Sequence, residues 1–400
     1  MPENNDVETA ERGKAEGTIR ELAEGLIRET DSRENRFRPE WVELLLERYR
    51  HRPGRPTVHL SDFVGHVQLR LRPETHQLVE PFWDRLVQKD GRWAWRHFRS
   101  VVNYLKGGPG TPRLTQWKRF GDVTGFDLDC LESHIDCIKI SDGPHVRLLH
   151  SPKLPVNLAS PAGAHLIGYY FDSNRTNGSF SNKDPILHED FRKTVRDVFG
   201  DLMISETVME SGGFRKGCYL RSNAGYVVRT AMEVSGFDCS RNQTVANNPL
   251  PSWLFNCSTP SKSETLSSLW DTEGSVNPHD LKVRQAAPFN PCGNSALPDW
   301  PKTIAFRQSS VGDQSHILQS PPLVIVSAAL MLFSMGIVSR LEPTGMTSSH
   351  GDPTAYWQLR VQREASVRAF QAQIRLRSVL KQSKLDALVR NTPSLPPFFH

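Results

Sequence analysis

The sequence predicts an α+β protein made of two αββαββα units behind an all-helical N-terminal region. Three observations carry this expectation. From about residue 158 the same order of elements runs twice. Apolar residues recur at helical spacing through TIRELAEGLIRE and PEWVELLLERYR. AYWQLRVQ alternates polar and apolar side chains with the period of a strand. With 400 residues the chain has room for two or three domains, and 38% hydrophobic against 23% charged residues excludes a disordered or collagen-like polymer.

In chain order, residues 1 to about 17 read as a disordered lead-in, followed by the two N-terminal helices. KGGPGTPR, near residues 106–113, is a linker and closes a first region of residues 1–110. Residues 111–157 have the dimensions of a helix-turn-helix, with a turn at Gly125 and a second helix from Asp127. A packing role for those two helices is the alternative. The first repeat covers 158–258. Its elements are the helix PAGAHLIGYYFD, the hairpin NRTNGSFS, the helix KDPILHEDFRKTVRDVFG, the strands LMISETVME and GCYLRS, and the helix NAGYVVRTAMEVSGF. The second repeat, 259–400, has SETLSSLWDTEG as its first helix and LKVRQA and TIAFRQS as paired strands. SPPLVIVSAALMLFSMG follows as a helix capped by Ser320, with Pro321 in its first turn and Gly336 at its end. AYWQLRVQ and the helices REASVRAFQAQIRL and KQSKLDALVR complete it.

A net charge of +5 permits a polyanionic partner without requiring one. Six cysteines without a CxxC pair suggest reduced, buried thiols, and a polar, acidic start lacks the apolar core of a signal peptide. The expected location is therefore the cytoplasm. The apolar run Leu323 to Val338 falls short of the roughly 20 residues that cross a bilayer, so it reads as a buried helix with no membrane contact.

Each repeat opens with a helix whose C-terminal end carries a carboxylate: Asp172 in the first, Glu273 with Asp271 beside it in the second. The helix dipole disfavours an anion there by about 0.3–1 kcal/mol, and a bound cation reverses that sign. Small residues, Ala164 and Gly168 in one helix and Ser267 and Ser268 in the other, would let the two helices pack closely. Both acids would then meet on a pseudo-twofold axis as hard-oxygen ligands for Mg²⁺ or Mn²⁺, suited to phosphodiester cleavage. Solvated acids at helix ends are the plain alternative. His165 reads as packed within its helix rather than as a ligand.

Gln358, Arg360 and Gln362 fall on the polar side of their strand, Lys282 and Arg284 sit together in LKVRQA, and Arg307 and Gln308 lie in TIAFRQS. Arg221 ends the GCYLRS strand. Arg and Gln make bidentate contacts with guanine and adenine edges, so these residues are candidates for reading bases in double-stranded DNA. Residues 351–400 hold eight Lys/Arg against three Asp/Glu, which makes Arg375, Arg377, Lys381, Lys384 and Arg390 candidate phosphate contacts. Lys and Glu would suffice for mere solubility on the strand faces, so their Arg/Gln bias points to base reading over a solvated face, whereas an exposed basic helix explains the C-terminal set as simply.

These residues resemble the LAGLIDADG homing endonucleases, in the form where one chain carries both motif copies. LSSLWDTEGSV looks like the second motif, and AHLIGYYFD followed by SNKDPILHEDF looks like the first. SNKDP before a helix, PSWLF between the copies and the QSPPL helix start extend the likeness over about residues 150–390. The resemblance implies paired motif helices at the repeat interface, a pseudo-twofold saddle of antiparallel sheets astride duplex DNA, and a monomer that cuts both strands with Mg²⁺ held by the two motif acids. Glu273 matches the second acid position. At the first, the matching spacing from Gly168 reaches Ser173, one past Asp172, and the glycine that should follow the acid is missing. Either Asp172 serves after a one-residue deletion or the site has decayed. A decayed site would leave a non-cleaving binder on the same scaffold, a transcription regulator or an RNA-splicing maturase.

Overall fold

Apolar residues one helical turn apart bury one side of α1 (Glu3–Glu29) and α2 (Pro39–His51): Ile19, Ala23 and Leu26 in the first, Trp41, Leu45 and Tyr49 in the second. The computed structural model describes residues 3–30, 37–63, 67–108, 111–142, 145–171, 173–174, 179–182, 184–202, 204–209, 215–220, 222–239, 248–277, 303–311, 320–349 and 352–390. α1 begins at Glu3, so the expected unstructured lead-in is corrected to a helix. The N-terminal region is not purely helical either. It contains β1 (Thr57–Val58) and β2 (Val67–Leu71) before α3 (Thr75–Leu105). α3 is broken at Asp90 (φ −157°, ψ 85°), whose carboxylate accepts the Trp93 N–H at 3.0 Å and so caps the second half.

α4 (Leu114–Thr124) ends at Gly125 with φ 72°, as the turn requires. The helix-turn-helix stops there. Residues Leu128–His134 form a 3-10 segment that runs directly into β3 (Ile135–Asp142), paired with β4 (His145–His150). β-Branched Ile135, Ile138 and Ile140 suit this pleated ladder better than a recognition helix. β5 (Val156–Asn157) pairs back with β1.

The first unit follows as α5 (Pro161–Tyr170), β6 (Ser173–Asn174), β7 (Ser179–Ser181), α6 (Pro185–Phe199), β8 (Asp201–Leu202), β9 (Ile204–Met209), β10 (Arg215–Leu220) and α7 (Ser222–Val234). Ser160 caps α5 through the Gly163 N–H, and Asp184 caps α6 through the Ile186 N–H. The second unit runs α8 (Thr259–Glu273), β11 (Gly274–Asn277), β12 (Thr303–Val311), α9 (Leu323–Ser334), β13 (Arg340–Ser349), β14 (Asp352–Val361), α10 (Glu364–Gln373) and α11 (Val379–Arg390). α9 starts one residue after Pro322, its N-cap, so neither a Ser320 cap nor Pro321 in the first turn is realised. The LKVRQA strand lies outside the described residues. β12 takes its partners from β11 and β14.

The chain is thus α+β with antiparallel sheets, and two of the four-stranded sheets share one order: β6-β7-β10-β9 and β11-β12-β14-β13. A third, β2-β3-β4-β8, draws strands from residues 67–71, 135–150 and 201–202 and so crosses the expected boundaries at 110 and 157. The N-terminal helices are equally bound to the second unit and to the segment that leads into it. Trp41 meets Trp357 edge-on at 5.8 Å, and Tyr49 donates its hydroxyl to the Leu250 carbonyl at 2.6 Å. α9 is buried from Val324 to Leu332, as its composition demands. Among the described residues no helix is long and apolar enough to cross a membrane. Cys130, Cys137, Cys239 and Cys257 are free thiols, and Cys130 is exposed rather than buried.

Candidate functional site

α5 and α8 lie side by side and run parallel. Ser261 donates to the Ala159 carbonyl at 2.7 Å, Thr265 to Ala164 at 2.9 Å, and Ser268 to His165 at 2.7 Å, so the contacts climb both helices together. At Gly168 a β-carbon would collide with the Ser268 hydroxyl and the Thr265 carbonyl, so only glycine permits this approach. Ala164, Gly168 and Ser268 therefore lie where the two helices touch. Ser267 does not: its hydroxyl turns to the Arg375 carbonyl on the far side of α8.

Glu273 is the last residue of α8, half-buried, and the chain passes directly from it into β11. Its neighbour Asp271 is committed elsewhere. Its buried carboxylate accepts the N–H groups of Arg377 at 2.7 Å and Ser378 at 3.1 Å, and burial raises its pKa to about 6 against those hydrogen bonds. Lys381, expected on phosphate, instead donates to the carbonyls of Trp270 at 2.9 Å and Asp271 at 2.7 Å. It closes the negative end of α8. Asp172 lies outside the described residues.

Beside the seam sits a charge cluster built around buried His165 and half-buried partners. His165 Nε2 is 2.7 Å from Asp190 on α6, and its Nδ1 is 2.8 Å from Glu264 on α8. Tyr169 donates to Asp190 at 2.7 Å, and Arg377 binds both oxygens of Glu264. Burial alone would lower the His165 pKa, but the bonds to Asp190 and Glu264 raise it above its ordinary value. Burial pushes Asp190 and Glu264 upward. Their hydrogen bonds to His165, with the Arg377 charge, outweigh burial and hold both below the usual carboxylate range. His165 is packed, as the sequence suggested, but as the ionic tie between three helices.

The expected base-reading face is largely locked. Gln358 and Arg360 are only 2% and 3% exposed, because β13 lies alongside and Glu342 reaches Arg360 at 2.6 Å while Arg360 donates to Gln358 at 2.9 Å. Those two residues are corrected from base readers to partners within the sheet. In the β12–β14 register Arg307 pairs opposite Gln358 and Gln308 opposite Trp357. Gln362, Arg375 and Lys384 are exposed. Lys282, Arg284 and Arg221 lie outside the described residues.

A separate cluster of His59, Asp129 and Glu132, with ligand atoms within 4.8 Å of one another, could hold a metal ion. Its side chains also serve the protein. Glu132 accepts the Leu60 N–H at 2.7 Å, and Asp129 accepts the Ser61 N–H at 3.1 Å. Burial raises the Glu132 pKa against the first of these bonds. No sequence spacing announces this cluster, since His59 and Glu132 are 73 positions apart. No protein-family model matches the chain, and no curated protein is significantly similar to it.

Proposed function

We propose that the chain is a monomeric, site-specific double-stranded DNA endonuclease of the LAGLIDADG type. In this reading α5 and α8 form the pseudo-twofold axis of a duplicated saddle, and Glu273 supplies one acid to a Mg²⁺ or Mn²⁺ site. The observation that carries the reading is the seam. Two parallel helices meet through Gly168 and Ser268, and each is followed by a four-stranded sheet of the same strand order. A duplicated unit facing a duplex across such an axis presents equivalent surfaces to both DNA strands.

The donor chemistry fits on the second side. Asp271 is turned inward by the Arg377 and Ser378 amides, which leaves Glu273 as the hard-oxygen donor at the end of α8. Asp172 is the candidate on the first side. A bound divalent ion there would polarise the scissile phosphate and acidify the attacking water. Lys381 fixes the helix end beside Glu273, so it is a positioning residue in this scheme. Exposed Arg375 and Lys384 supply charge for phosphates.

The second reading, a non-cleaving regulator or maturase, draws support from the Gln358 and Arg360 side chains. Their internal pairing removes two groups from base reading. One experiment separates the two. The protein is incubated with Mg²⁺ and a plasmid library carrying random inserts, and linear products are sequenced. Recurrent cut sites that vanish with EDTA are expected. Retention of DNA without any linear product would replace the nuclease with the binder.

A further inference from the structure

Several basic groups among the described residues pair with acids, whereas those along the second half of α3 do not. Arg20 pairs with Glu43, Arg192 with Glu189, Lys193 with Asp197, Arg229 with Glu233, Arg363 with Glu29 and Arg368 with Glu364. Between residues 85 and 106, six exposed basic side chains, Arg85, Lys89, Arg92, Arg96, Arg99 and Lys106, stand against one acid. That acid, Asp90, is occupied as the cap of the second half of α3. Among the described residues none of the six is ion-paired.

Their placement is ordered. Beyond the break at Asp90, Arg92 and Arg96 stand one helical turn apart on an exposed face, and Arg99 follows three residues on, just past a second departure from helical geometry at Phe98 (φ −121°, ψ 20°). Lys106 folds back over the Trp95 ring at 4.8 Å, and Arg119 of α4 lies over Phe98 and 3.4 Å from His97. The opposite face, with Ala94, Phe98, Val101 and Val102, is buried. A run of exposed guanidinium groups, unneutralised by acids of the protein, complements a row of backbone phosphates. Mere solubility would be served as well by interspersed acids.

We propose that the Arg92–Arg96–Arg99 face of α3 binds the phosphate backbone of duplex DNA, outside the two-sheet surface and without sequence preference. It rests on the preceding reading only for the identity of the partner.

The test measures anisotropy of a labelled duplex of about 30 base pairs and arbitrary sequence, in EDTA, across roughly 50 to 300 mM salt. The full chain is compared with R92A/R96A/R99A and with the charge-conserving R92K/R96K/R99K. Three lost phosphate contacts should reduce the slope of log Kd on log salt by about 3, and weaken binding at least about tenfold near 150 mM salt. The lysine variant should keep the slope. The proposal is overturned by an unchanged slope in the alanine variant, by equal losses in both variants, by no duplex binding in the wild type, or by single-stranded RNA displacing the duplex. The probe needs neither cognate site nor metal. A chain that binds through α3 but never cuts therefore refutes only the nuclease, and one that cuts while the alanine variant binds normally refutes only this surface.

Discussion

Ser268 donates its hydroxyl to the backbone carbonyl of His165 at 2.7 Å across the α5–α8 seam. The bond requires helix axes close enough that the facing residue, Gly168, has no room for a β-carbon. Seam geometry is therefore set by small residues and hydroxyl-to-carbonyl bonds more than by interdigitated apolar side chains.

Gly168→Ala accordingly forces the helices apart. The expected loss is about 1–3 kcal/mol, the range for overpacking in a closed core. Urea denaturation reads it directly, and an unchanged midpoint would show that the seam is looser than its hydrogen bonds indicate.

The charge cluster beside the seam makes stability depend on pH. His165 has a raised folded pKa, so its contribution is complete below about pH 6.5 and fades as pH rises through the folded value. Asp190 and Glu264 are lowered; their contributions are complete above about pH 4 and fade as pH falls through the folded values. Asp271, raised to about 6, favours the folded state when neutral; that contribution is complete below about pH 4 and is lost as pH climbs from there through about 6. Together they place maximal stability on the acid side, with one fall as Asp271 ionises up to about pH 6 and a second as His165 loses its proton above about pH 6.5. Denaturation midpoints should fall from pH 6 to pH 8, with a flatter fall in His165→Gln. A midpoint that rises over that interval contradicts the cluster.

Lys381 and Lys384 should behave oppositely despite their proximity. Lys381→Met removes the closure of α8 and should cost about 1 kcal/mol of stability. Lys384→Met should leave stability alone and reduce the salt dependence of DNA binding by about one phosphate contact. Melting and anisotropy on both variants check this pair, and a loss of salt dependence confined to Lys381→Met would reverse the assignment.

Much of this was readable in the letters. Gly168 and Ser268 could be found because close helix packing demands small side chains at fixed spacing, and Pro161 and Pro185 mark helix starts by simple sterics. The strand period of Tyr356 to Val361 was equally plain. Its polar side was misjudged because Glu342 reaches Arg360 from β13, whose Pro343 and Gly345 hide the strand pattern at a bulge. Ile135 to Ile140 differs from its expected helix because it lies between two strands, the following His145–His150 and Val67–Leu71 almost 70 residues upstream, and the second pairing leaves no local trace. Likewise, nothing in sequence showed that Lys381 would be drawn inward to the end of α8.

The account stands most directly on Glu273. Its replacement by Gln keeps shape and removes the charge a divalent ion needs, so cutting of a selected site in Mg²⁺ should be abolished while binding to the same duplex in Ca²⁺ stays within about threefold. A Glu273→Gln protein that linearises the site at the wild-type rate would contradict the metal role and, with it, the seam as the cutting centre.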